Sequence, residues 1–107
     1  MSESNGARYK LDRLPKINEQ LKKLAKIASL LDFRLLFFES LFKIVHLLKT
    51  EPLKWGDPKY RTKHKGGTVC QAILLPFNVH YVVFESEQRV CILDVDLLPP
   101  FKKDIAD

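Results

Sequence analysis

The stretch GGTVCQAILLPFNVHYVVFESEQRVCILDVDLLPP, residues 66–100, holds three apolar, β-branched runs joined by very short connections. Runs of this composition, bounded by turn residues, are typical of β-strands. They predict strands at about Thr68–Leu75, Asn78–Glu85 and Arg89–Leu97, with a tight turn after Pro76 and a polar turn at the tripeptide SEQ. Adjacent antiparallel strands with such short links form a meander.

Upstream of these runs, apolar residues recur at steps of three and four from Leu14 onward, which is the period of a helix. Pro15 suits a first helical turn, where its missing N–H costs nothing. We predict a hairpin of two helices broken near Ser29–Asp32, with Asp32 as N-cap of the second; one continuous helix is the alternative. The second helix, residues 32–48, is apolar on more than half of its circumference, which predicts cover on more than one side.

The whole chain of 107 residues has the size and composition of one globular domain. ARYKLD, residues 7–12, can add a short edge strand to the meander. The predicted fold is therefore α+β: one strand, a helical hairpin and a three-stranded meander in one small twisted sheet, with both helices on one face. Residues 1–6 are expected to be a disordered N-terminus, residues 7–100 the domain, and residues 101–107 a tail.

Nothing in the chain predicts a membrane protein or a secreted one. The apolar segment at residues 32–48 is too short for a span and is interrupted by charged residues, and the first dozen residues do not resemble a signal peptide. Cys70 and Cys91 lie in apolar runs without metal-ligand spacing, which favours buried thiols in a reducing cytoplasm. A disulfide between neighbouring strands stays an alternative.

Positive charge is concentrated in one segment. The net charge of +5 and the pI near 9.3 favour an anionic partner, with a solvated basic surface as the alternative. The basic segment, Lys54–Lys65, holds five lysine or arginine residues against the single aspartate Asp57. This segment is the first candidate contact for phosphate groups.

The order of these elements, with WGDPKY at residues 55–60 and VHYVVFESEQRVCILDVDLLP at residues 79–99, resembles the RelE/ParE toxin superfamily, which includes the plasmid-stabilisation proteins. The resemblance covers about residues 7–104. It implies the toxin of a bacterial type II toxin–antitoxin system, neutralised by a cognate antitoxin protein. RelE-like members are endoribonucleases that cut mRNA on the ribosome without a metal or cofactor, and ParE-like members poison DNA gyrase.

The resemblance also implies site residues. His80 falls near a position where the family often has arginine in its central strand, and a histidine can act there as general acid or base. Tyr60 can stack on a base, or fold over the sheet edge instead. For His80 the alternative role is that of a partly buried side chain with a backbone partner. The implied phosphate contacts are Lys54, Lys59, Arg61, Lys63, His64, Lys65 and Lys102.

Two departures from the family bear on catalysis. Asp94 and Asp96 alternate with apolar residues, so both point to one polar face, where they would repel a phosphate if His80 shares that face. They are expected to be solvated and not to hold a metal. The tail FKKDIAD has Phe101 and Ala106 where the family motif has histidine and tyrosine. A metal-independent endoribonuclease is expected, in which either His80 takes over the acid/base role or the activity is eroded. The alternatives are a ParE-like gyrase inhibitor and a non-catalytic interaction module.

Overall fold

A computed structural model describes residues 8–62 and 66–101 of the chain. Five strands and two long helices make up most of these residues. In chain order the elements are β1 (Lys10–Arg13), α1 (Pro15–Leu30), α2 (Arg34–Thr50), the single-turn α3 (Pro52–Trp55), β2 (Asp57–Arg61), β3 (Thr68–Leu74), β4 (Phe77–Phe84) and β5 (Arg89–Leu97), with 3₁₀ turns at Glu85–Glu87 and Pro99–Phe101. The α+β class is thus confirmed. Residues 1–6, predicted to be disordered, and Lys102 to Asp107 of the predicted tail lie outside the described residues.

The strands form one mixed sheet in the order β1-β5-β4-β3-β2. β3, β4 and β5 pair in antiparallel fashion, so the predicted meander is confirmed, with its first turn at Leu75–Pro76 and not after it. β1 adds to the meander beside β5, as predicted for the N-terminal strand, and runs parallel to it. A parallel neighbour requires a long return connection, which the helical hairpin supplies.

The sheet has five strands where the sequence predicts four. Residues of the basic segment, predicted to be loop, form β2, which pairs antiparallel with β3 at the edge of the sheet. Pro58 and a register shift between Pro58 and Tyr60 interrupt the alternation by which a strand is recognised in a sequence. An edge strand tolerates both features because one side of its backbone needs no partner.

The two helices are separate, as predicted, but Asp32 does not cap α2. Asp32 has φ of +62°, the left-handed conformation, whereas an N-cap residue is extended. The Asp32 N–H donates to Ser29 O at 3.4 Å and the Phe33 N–H donates to Ala28 O at 2.9 Å. These bonds make a Schellman motif, so Asp32 ends α1, and Phe33 precedes the first residue of α2.

One hydrophobic core joins both helices to one face of the sheet. It takes one stripe from each helix and alternate residues from the three central strands; its largest fully buried side chains include Ile17, Phe37, Ile44, Leu48, Phe77, Val79, Tyr81 and Val90. Phe101, assigned to the tail by the sequence, packs against Phe33 with ring centroids 5.3 Å apart. The core confirms that α2 needs cover on the side that faces the sheet.

Cover of α2 on more than one side was predicted, and this holds in part: α1 and α3 pack beside α2, but its outer side is exposed. Phe37 is 1% exposed, but Leu35 and Phe42 on the same helix are 72% and 76% exposed. The reason is the single helical layer, which leaves the outer side of the hairpin to solvent. No helix in residues 8–62 and 66–101 is long and apolar enough to cross a membrane.

Candidate functional site

The sheet has a second face, turned away from the helices, which we call the open face. Directly paired residues project to the same side of a sheet, so the strand register identifies its members. His80 on β4 lies opposite Gln71 on β3 and opposite Asp94 on β5. The histidine therefore occupies the central strand of this face with a polar side chain on each side.

The imidazole of His80 is half-buried and has no hydrogen bond or ion pair to any other described residue. The backbone partner expected of a structural histidine is thus not found within the described residues. Neither ring nitrogen is engaged by the part of the chain that the structure describes. A histidine in this state can accept a proton at one nitrogen and deliver one from the other.

Side-chain hydrogen bonds hold the polar groups around His80. Gln71 Nε2 donates to Asn78 Oδ1 at 2.9 Å, which fixes two amides on the open face. Gln20 Nε2 of α1 donates to Asp94 Oδ1 at 3.0 Å, across the part of β5 that β1 does not cover. Gln20 Oε1 is buried with no partner among described residues. Sequence reasoning missed Gln20, because a polar helix residue gives no signal that it reaches a strand 74 positions away.

Both aspartates near the end of the meander lie on the open face, as their alternation predicted. Asp94 pairs with His80 and Asp96 pairs with Asn78, and the intervening Val95 is buried in the core. Negative charge therefore stands beside the histidine, where it opposes a phosphate. Within the described chain, no group of three His, Cys, Asp or Glu side chains is placed to hold a metal ion.

The basic segment reaches this face only in part. Lys54 in α3 and Lys59, Tyr60 and Arg61 in β2 are all exposed. Tyr60 pairs with Val69 on the open face and is 62% exposed. It lies two strands from the strand of His80, about 10 Å at the usual strand spacing. Lys63, His64, Lys65 and Lys102 lie outside the described residues.

Arg61 belongs to the other side of the sheet. It pairs with Thr68, whose partner on β4 is the core residue Val83, and its Nη2 donates to Gly66 O at 3.3 Å. Of the predicted basic contacts that are described, Arg61 is therefore not brought toward His80. Its charge acts at the rim of β2 and not over the centre of the open face.

Buried aromatic residues position β2 against the meander. The Tyr81 hydroxyl donates to Pro52 O, and the Trp55 ring stacks on the Tyr81 ring with centroids 5.8 Å apart. Gly56 is required between them, because a Cβ there would lie 2.2 Å from the Tyr81 hydroxyl. Burial raises the pKa of Tyr81, so the hydroxyl stays protonated and keeps donating.

The two cysteines cannot pair. Cys70 lies on β3 in the core, whereas Cys91 lies on β5 on the open face, with β4 between the two strands. Both are free thiols, so the disulfide alternative is excluded. Burial raises the pKa of each thiol above its usual value, which favours the unreactive protonated form.

No protein-family model matches this chain, and no curated protein matches it. The geometry of the fold and of the open face is therefore what bears on function.

Proposed function

We propose that the protein is a RelE/ParE-type toxin that binds RNA across the open face and cleaves it without a metal, with His80 as acid or base. The observation that carries the proposal is His80 itself. It is central on the open face, half-buried, and without a partner among the described residues. The order of strand, helical hairpin and meander, which the resemblance implies, supports the same proposal.

RNA cleavage of this kind needs a base for the ribose 2′-hydroxyl and an acid for the leaving 5′-oxygen. His80 can serve as the base, since both nitrogens are free of described partners. Tyr60 offers an exposed ring on the same face for a base to stack on. Lys59 supplies positive charge on β2, and Gln71 and Asn78 supply amide donors near the histidine.

The second candidate function is a protein-binding one: a ParE-like inhibitor of DNA gyrase, or a non-catalytic module. One observation favours it. Asp94 and Asp96 share the open face with His80 and place negative charge where the scissile phosphate would lie. A surface of this kind suits a protein partner with amide and cationic groups better than it suits a nucleic acid.

Inducible expression in a bacterium separates the two functions. For the nuclease we expect growth arrest, with new mRNA 5′ ends mapped by primer extension and cleavage by the purified protein that persists in EDTA. His80→Ala should reduce the cleavage rate by about 10² or more, the usual contribution of a general acid or base. His80→Arg, which keeps a phosphate contact but cannot transfer a proton near neutral pH, should remain equally inactive.

Ile73→Ser is the control, because Ile73 is 56% exposed on the same face and carries no chemistry. Its cleavage rate should equal that of the parent protein. Growth arrest with intact mRNA and damaged DNA would contradict the nuclease and support the gyrase inhibitor. Absence of arrest would leave the non-catalytic module.

The proposed toxin requires a cognate antitoxin, and the basic surface favours an acidic one. A small acidic open reading frame beside the gene is therefore expected, and its co-expression should restore growth. The ribosome with its mRNA is the proposed target of the nuclease, and gyrase that of the second candidate.

A further inference from the structure

The outer side of α2 carries a stripe of residues at alternating steps of four and three. Leu35, Glu39, Phe42, His46 and Lys49 make up this stripe, which we call the outer stripe. The spacing is that of a seam between two packed helices. Its apolar members are strongly exposed, with Phe42 at 76%, and Phe38 beside the stripe is 38% exposed.

Along the outer stripe a carboxylate precedes Phe42, and an imidazole and an ammonium group follow it. Glu39 lies three residues before Phe42, His46 lies four residues after it, and Lys49 lies three residues beyond that. The side chains of Glu39, Lys43 and His46 have no ion pair with any described residue. A helix with this pattern is complementary to a second copy of itself that runs in the opposite direction.

We propose that the outer stripe is a homodimer interface, in which α2 packs antiparallel to α2 of a second copy about a two-fold axis at Phe42. The two Phe42 rings then meet at the axis. Glu39 of each copy faces His46 of the other, and Leu35 packs on the stem of Lys49. Shifting the two helices by one turn would bring Phe42 against Glu39, so charge selects a single register.

Two shallow depressions flank Phe42. A shallow depression of about 320 Å³ is lined by Phe42, Lys43, His46 and Leu47. A second depression of about 460 Å³ is lined by residues that include Leu36, Glu39 and Phe42. An aromatic side chain that enters such a depression loses its exposure to water, which is the usual anchor of an interface.

The contact is confined to one face of one helix of 17 residues, so it is small beside a standard interface of about 800 Å² per partner. A net charge of +5 on each copy also opposes association. We therefore expect a concentration-dependent monomer–dimer equilibrium and not a permanent dimer. This inference does not rest on the proposed function, because the open face lies on the opposite side of the molecule.

Sedimentation velocity over a range of protein concentrations tests the proposal. The mass should rise from 12.4 kDa toward twice that value as concentration increases. Phe42→Asp should keep the protein monomeric throughout, with an unchanged circular dichroism spectrum. Ile73→Asp, an equally simple change on the open face, should leave the dimer intact.

Charge reversal and cross-linking test the register. Glu39→Lys should weaken dimerisation by about tenfold, since in two symmetric places it replaces the carboxylate that accepts from His46 with an ammonium group that cannot accept; adding His46→Glu should restore it. In a Cys91→Ser background, Phe42→Cys should form an intermolecular disulfide on oxidation, and Ile73→Cys should not. A monomer at every concentration, or a dimer that Phe42→Asp does not disturb, overturns the proposal and leaves the outer stripe to a different protein.

Discussion

The interior of the molecule and its exposed surfaces use the same residue types in opposite ways. Phe37 and Phe42 are on one helix, yet one is 1% and the other 76% exposed. Tyr81 is fully buried and Tyr60 is 62% exposed, and Cys70 is buried where Cys91 is only half-buried. Residue type therefore does not decide whether a side chain is buried or exposed in this protein. The side of the helix or strand on which the residue lies decides it.

The largest expected difference in the free energy of unfolding is between Phe37→Ala and Phe42→Ala. Phe37→Ala should lower the free energy of unfolding by about 3–5 kcal/mol, because it leaves a cavity where the Phe37 ring packs on Phe77 at 5.0 Å. Phe42→Ala should change it by less than about 0.5 kcal/mol in the monomer. Urea unfolding at low protein concentration measures both. Equal losses in the two variants would mean that the outer stripe is packed within the monomer.

Removing the hydroxyl oxygen of Tyr81 or of Tyr60 tests the comparison between the buried and the exposed tyrosine. Tyr81→Phe leaves the buried Pro52 carbonyl without its donor and should lower the free energy of unfolding by about 1–3 kcal/mol. Tyr60→Phe, at an exposed position, should be neutral. Thermal unfolding of the two variants beside the parent protein decides this prediction.

The same pair predicts an alkaline effect. Burial raises the pKa of Tyr81, so the folded state keeps the proton after an unfolded tyrosine has lost it. Stability from this group is therefore complete below about pH 10 and falls as pH rises above it, by up to about 1.4 kcal/mol per pH unit. Tyr81→Phe should flatten that decline between pH 10 and pH 11.5; an unchanged slope would refute the assignment.

Alkylation compares the two thiols. Cys91 should react with iodoacetamide more slowly than a free thiol at the same pH, because burial raises its pKa. Cys70 should react only when the protein unfolds, and so at least about 10³-fold more slowly than in denaturant. Mass spectrometry of timed samples separates the two sites. Rapid labelling of Cys70 in the native protein would contradict its place in the core.

The smallest expected effect concerns charge on the open face. Asp94→Asn removes one negative charge beside His80 while keeping an acceptor for Gln20. If RNA binds there, its affinity should increase by about threefold to fivefold, a change of roughly 1 kcal/mol. Fluorescence anisotropy with a short RNA at fixed salt measures this. Asp12→Asn, whose partner is Arg89 at 2.7 Å farther along the sheet, is the comparison variant and should weaken the ion pair with no such gain.

Much of the fold could be predicted from the chain alone. Alternation of apolar residues indicates which side of a strand is buried, and a spacing of three and four indicates a helix. The meander, the helical hairpin and the shared face of Asp94 and Asp96 were all predicted correctly from these two patterns. These features depend on neighbours two to four residues apart. The spacing of such neighbours can be seen directly in the sequence.

Features that depend on distant partners were not predicted. β2 has no strand pattern and exists because β3 offers its free edge. α1 ends at Asp32, through a bond from the Asp32 N–H to Ser29 O and one from the Phe33 N–H to Ala28 O. Aspartate is common at N-caps too, so the residue type does not distinguish the two roles. Gln20 reaches Asp94 only because α1 passes the uncovered part of β5.

The sequence by itself thus determined the periods of the elements, their order, and the presence of one histidine on the central strand. Only the tertiary structure decided which apolar faces are covered, that His80 has Asp94 beside it and no described partner, and that Phe42 is left to solvent. The physical reason is that periodicity comes from local backbone geometry, whereas burial and pairing depend on which surfaces the folded chain brings together.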